Sequence, residues 1–126
     1  MYNEYYIRNI VMIYIEKGQE NKVVLTLTES STITSPYFLF KFENEFNTSS
    51  TPLYWSPLDQ SSYPERYNLF ILDEPSDLNL IIGQYSYHVY ESETPIIVTP
   101  STSEEGLTEL EEGRMQVIGT SNSIYD

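Results

Sequence analysis

The chain has 126 residues, a formal net charge of -13 from 6 Lys+Arg against 19 Asp+Glu, no cysteine and one histidine. Its length predicts one domain. The missing cysteines exclude disulfides and thiolate chemistry, and the acidity opposes phosphate-backbone binding, which rests on lysine and arginine. With 12 Tyr, 5 Phe and 1 Trp, 14% of the residues are aromatic, which argues against a disordered chain and for a sheet-rich one.

In chain order, residues 1–11 read as an N-terminal arm and residues 12–126 as a single domain. The arm carries Tyr2, Tyr5, Tyr6, Ile7 and Ile10. A peptide this short cannot bury them alone, so they are expected to dock on the domain or to join a neighbour as an added strand. Glu4 and Arg8 interrupt it, which is unlike a signal peptide. The longest apolar run here, Ile10–Ile15, is far short of the ~20 residues that span a bilayer. The expectation is a protein made in a cytoplasm, with no membrane partner.

Strand-type patterning then dominates. Ile10–Glu16 is apolar on both faces and reads as a strand covered on both sides. After a turn at Lys17-Gly18-Gln19, Lys22–Glu29 alternates, with Val23, Leu25 and Leu27 opposite Thr26 and Thr28. A Ser/Thr-rich loop, Ser30–Pro36, leads to Tyr37–Asn44, where Phe38, Phe40 and Phe42 oppose Lys41 and Glu43. Leu53–Trp55, held between Pro52 and Pro57, reads as a short edge strand. Tyr67–Asp73 is a second run apolar on both faces. Gly83–Glu91 sets Tyr85, Tyr87 and Val89 against Ser86, His88 and Tyr90, and Arg114–Gly119 sets Met115 and Val117 against Gln116.

Between the last two lies Ser92–Glu112, a long loop with an apolar anchor at Ile96–Val98. Within it, Glu104–Glu112 has Leu107 and Leu110 at helical spacing, but Gly106 interrupts it and at most one helical turn is expected. Seven strands punctuated by turns predict an all-β fold, an immunoglobulin-like antiparallel β-sandwich. Leu80–Tyr87 has the form of the corner before the sixth strand of such sandwiches, with Tyr85 as the residue whose hydroxyl bonds back to the corner's own backbone.

No residue set points to catalysis. No G-x-S-x-G elbow surrounds a serine, and His88 reads as a surface histidine on a polar strand face, without a buried orienting partner. Zinc would need three carboxylates beside that single histidine, whereas structural zinc prefers nitrogen and sulfur. The acidic run from Glu104 to Glu112 lacks calcium-loop spacing and reads as solvated, as do Asp73-Glu74 and Glu91–Glu93. Phosphate-binding glycine loops are missing. The sequence therefore predicts no enzyme, cofactor or metal. Tyr54, Trp55 and the tyrosine-rich strands suit a sugar-stacking platform or, with more weight, a protein interface.

As a set, Met12–Gly18, Val24–Glu29, Ser35–Phe42, Arg66–Phe70, Gly83–Glu91 and Glu112–Val117 resemble small virion proteins of crAss-like and related tailed phages. The resemblance runs from Met12 onward and leaves the tyrosine-rich arm outside it. It implies a structural, non-enzymatic component of the virion: an auxiliary (decoration) protein on the outside of the capsid, present in multiple copies. Its implied partner is the major capsid protein, with portal, tail or fibre proteins as the alternative for a neck or tail location. Contacts are expected from the arm, from Tyr54 and Trp55 at the short edge strand, and from Ile96 and Ile97 in the long loop. A carbohydrate-binding module using Trp55 for host attachment is the competing reading. An acidic DNA mimic ranks last, because it explains the charge but not the aromatic strands.

Overall fold

A computed structural model describes residues 12–47 and 49–119. These residues form a two-layer all-β sandwich with seven strands among them: β1 (Met12–Glu16), β2 (Glu20–Leu25), β3 (Tyr37–Asn44), β4 (Leu53–Trp55), β5 (Asn68–Asp73), β6 (Gly83–Ser92) and β7 (Thr108–Ile118). Five of them form one sheet in the order β1-β7-β6-β3-β4, and β2 pairs with β5 in the other. The central order β7-β6-β3, faced by β2-β5, is the immunoglobulin-like arrangement. The fold departs from a wholly antiparallel sandwich at one place, because β1 runs parallel to β7, from Met12 opposite Arg114 to Glu16 opposite Ile118. The expected contacts of Tyr2, Tyr5, Tyr6, Ile7 and Ile10 lie outside the described residues.

Alternation builds the core. The inward positions are Ile13 and Ile15 of β1, Val23 and Leu25 of β2, Phe38, Phe40 and Phe42 of β3, Phe70 and Leu72 of β5, Tyr85, Tyr87 and Val89 of β6, and Met115 and Val117 of β7, all buried. Phe40 sits at the aromatic centre, its ring 5.0 Å from Trp55 and 5.0 Å from Phe70. Each such side chain contributes about 1.5–3 kcal/mol by leaving water. Gly83 opens β6 at a positive φ of 146°, immediately after the corner. There Tyr85 Oη accepts from the Ile81 amide at 3.0 Å and donates to the Ile81 carbonyl at 3.1 Å. The tyrosine corner is thus closed on its own backbone, as Tyr85 was expected to do.

Several expectations need correction. β1 is not covered on both sides, since Tyr14 is 64% exposed; β1 is an edge strand with one buried face. β5 is one-sided as well, with Phe70 and Leu72 buried and Leu69 and Ile71 only half-buried, because among the described residues no layer lies outside the two-stranded sheet. β2 ends at Leu25 rather than Glu29. Beyond it the Leu27 amide donates to the Asn68 side-chain oxygen at 2.7 Å instead of to a strand neighbour, and Thr28–Ser30 form a 3-10 turn. The long loop is shorter than Ser92–Glu112, for the acidic stretch after Leu107 is the first half of β7.

Two carboxylates expected in solvent are buried, Glu74 and Glu91, each 1% exposed. Glu74 accepts from Lys17 Nζ at 2.6 Å, the Gly18 amide at 2.7 Å and the Leu80 amide at 3.1 Å, tying the β1–β2 turn to the loop before β6. Glu91 accepts from Ser31 Oγ at 2.6 Å and Thr32 Oγ1 at 2.8 Å, pinning the loop after β2 to the end of β6. Burial alone would raise both acids; the donors around them more than offset it and hold both below the ordinary carboxylate range.

Candidate interaction surface

Of the expected contact residues, the described ones, Tyr54, Trp55, Ile96 and Ile97, lie at or beside the β4 edge. β4 is an edge strand of three residues bracketed by Pro52 and Pro57, features that resist edge-to-edge pairing. Beside it lies an open groove of about 650 Å³, lined among others by Tyr54, Trp55, Leu58, Ile71, Ile96 and Val98. Loop 93–107 brings Ile96 and Val98 to this groove from beyond β6. Leu58, Val98 and the adjacent Ile97 are 67%, 41% and 86% exposed. Val98 belongs to the apolar anchor expected at Ile96–Val98, whereas Leu58 carries no signal in the sequence; loop apolar residues have no period, and only the fold reveals that the two meet.

The expected residues differ in kind. Tyr54 and Ile96 line the groove half-buried, and Ile97 points to solvent without lining it. Trp55 belongs chiefly to the core. It is 8% exposed, with Phe40 at 5.0 Å, Phe42 at 6.3 Å and Phe70 at 6.4 Å from its ring. Packed among three rings, it presents no open face on which a sugar could stack.

The loop is held over the outer face of the five-stranded sheet by Glu104. Its carboxylate accepts from Lys41 Nζ at 2.8 Å and from Tyr54 Oη at 2.6 Å. These two bonds, Lys41 first, pull Glu104 down to about 2. Burial, followed by the bond to Glu104, pushes the Tyr54 hydroxyl up to about 12. Tyr54 therefore has two roles, lining the groove and anchoring the loop that forms its far wall. Glu104, expected as a free solvated charge, is instead paired with both Lys41 and Tyr54.

Around His88 this outer face is polar and charged. His88 on β6 lies opposite Lys41 on β3 and Glu112 on β7. Its Nδ1 is 3.2 Å from Glu109 and its Nε2 3.6 Å from Glu43. These carboxylates are exposed and the histidine is half-buried among them. No protein-family model matches the chain, and no curated protein matches it.

Proposed function

We propose that the chain is a non-enzymatic protein-binding module, an auxiliary protein that attaches to the outside of a tailed-phage capsid. The observation carrying the protein-binding part is the groove beside β4, where Leu58 from one loop and Ile96 and Val98 from another leave apolar surface in water. Single exposed apolar residues are ordinary, but several gathered around one depression favour an interface. The virion assignment is supported by the resemblance of the strand motifs to small phage structural proteins. The strong negative charge keeps many copies soluble and apart before assembly. The shell protein would bury side chains in the groove rather than extend the sheet, because the flanking prolines blunt the β4 edge.

Purified particles from a phage encoding this chain provide the test. Wild-type protein should appear in hundreds of copies, on a gel calibrated against the major shell protein. The double variant Leu58→Asp/Val98→Asp, at two exposed positions of the groove, should fold with an unchanged urea midpoint and be missing from the particle. Absence of the wild-type protein from particles refutes the virion assignment. Normal incorporation of the double variant refutes the role of the groove. About a dozen copies, the number expected of a symmetric neck or tail ring, would replace decoration by the neck assignment.

A further inference from the structure

A second feature lies on the outer face away from the groove. We propose that His88, Glu109 and Glu112 form a binding site for one divalent transition cation of the zinc type. The three residues each offer a ligand atom, and these atoms lie within 4.8 Å of one another. Metal–ligand bonds of about 2.0–2.2 Å would draw them together by roughly 1 Å, within reach of rotamer adjustment by two exposed glutamates.

The backbone supplies the argument that this convergence is built. Glu109 and Glu112 are three apart on one strand, and in a regular strand residues at odd spacing point to opposite faces. Between Val89 and Tyr90 the ladder slips: Val89 faces Glu111, whereas Tyr90 faces Glu109. The extra residue is Leu110, which packs against the core. This β-bulge turns Glu109 onto the face that Glu112 already shares with His88, and re-aiming a side chain is a known use of bulges.

The second argument is electrostatic. Lys41 is engaged by Glu104, at 2.8 Å, and Arg114 approaches Glu45. Among the described residues no lysine or arginine makes an ion pair with Glu109 or Glu112. Two carboxylates are thus aimed at one imidazole in a protein already at -13, while Lys41, the cation opposite His88, is held by Glu104 and lies 3.8 Å from Glu43. A bound cation removes that repulsion. The histidine is also equipped with an outer partner. With Nδ1 on the Glu109 side, Nε2 is left facing Glu43 Oε1 at 3.6 Å, and a carboxylate behind a metal-bound imidazole fixes its tautomer and raises its basicity. One nitrogen and two oxygens, completed by water, suit zinc better than calcium or magnesium, which take oxygen ligands. The site would clip β6 to β7 and is independent of the groove and of the virion assignment.

Calorimetric titration of the full chain with zinc chloride, at neutral pH in a non-chelating buffer, is the test. One equivalent should bind, and the His88→Ala and Glu112→Gln variants should each weaken binding about tenfold or more. Glu43→Gln should weaken it while keeping the stoichiometry, and Glu29→Gln, far from the cluster, should leave it unchanged. The imidazole proton resonances of His88 should shift on zinc addition and not on magnesium addition. Zinc binding of equal strength in His88→Ala, or displacement of zinc by equimolar magnesium, would show only diffuse attraction to an acidic surface and overturn the site.

Discussion

At the scale of single residues, polar atoms in the interior do much of the work of choosing this fold. Tyr85 is 3% exposed, and its hydroxyl both accepts from and donates to the Ile81 backbone. Phenylalanine would fill the same volume but leave the Ile81 amide and carbonyl without that partner. Tyr85→Phe should therefore lower stability by about 1–2 kcal/mol, the cost of a lost buried hydrogen bond and of the polar groups it strands. Chemical denaturation should show the midpoint moving with an unchanged slope. An unchanged midpoint would mean that water satisfies the corner equally well. This tyrosine was legible in the sequence because its corner has a local pattern. Glu74 and Glu91 were not: their donors, Lys17 and Ser31, lie 57 and 60 residues away, and a glutamate at a strand end looks solvated until those partners are placed.

At the scale of elements, the contrast between β3 and β7 shows why some strands announce themselves. Phe38, Phe40 and Phe42 alternate without a break, and β3 runs over the Tyr37–Asn44 span that its pattern predicts. The first half of β7 presents Glu111 and Gly113 to the interior, residue types that break an apolar period. Both are explained by one neighbour, Tyr87 of β6. Its ring fills the space where a side chain on Gly113 would stand, since a Cβ there would lie 2.7–2.9 Å from Cε2, Cζ and Oη. Its hydroxyl donates to Glu111 at 2.5 Å. The volume of β7's missing side chain is thus supplied by β6, a complement that a single strand's pattern does not encode. Gly113→Ala should cost about 1–3 kcal/mol through overpacking. Adding Tyr87→Leu should recover part of that cost, giving a double variant less destabilised than the sum of the singles. Additive losses in a thermal or chemical denaturation cycle would show that the ring is not what excludes a side chain at this position. The same slip in register hid the cluster at His88, because Glu109 and Glu112 sit on one face only through the bulge.

For the molecule as a whole, two electrostatic effects respond to acid with opposite signs, and their order along the pH axis can be worked out. From pH 7 toward the sequence pI of about 4.2, the charge of -13 shrinks and self-repulsion is relieved, which favours the compact state. Glu74, Glu91 and Glu104 act the other way. Their carboxyls are held below ordinary values in the fold, so the unfolded chain takes up protons first. The stability they contribute is complete above the unfolded value of about 4.3 and is lost as pH falls through the lowered folded values, for Glu104 as far as about 2. Glu111 has the reverse sign. Burial raises its carboxyl, against the smaller lowering by the Tyr87 bond, so its ionisation costs stability as pH rises, and its contribution is best kept in acid. Urea midpoints should therefore hold or rise between pH 7 and 5 and fall steeply below about 4. Glu74→Gln should lower the midpoint at pH 7, by about 2 kcal/mol in stability for a charge-assisted bond in a buried site, and flatten the fall below pH 4. Added salt separates the two effects: it should raise stability at pH 7 by screening the exposed charges and leave the Glu74 difference largely intact, since buried pairs are screened much less. If the midpoint of Glu74→Gln fell as steeply in acid as that of the wild type, the buried glutamate at the β1–β2 turn would not be a source of the acid response, and Glu91 and the network around Glu104 would have to carry it.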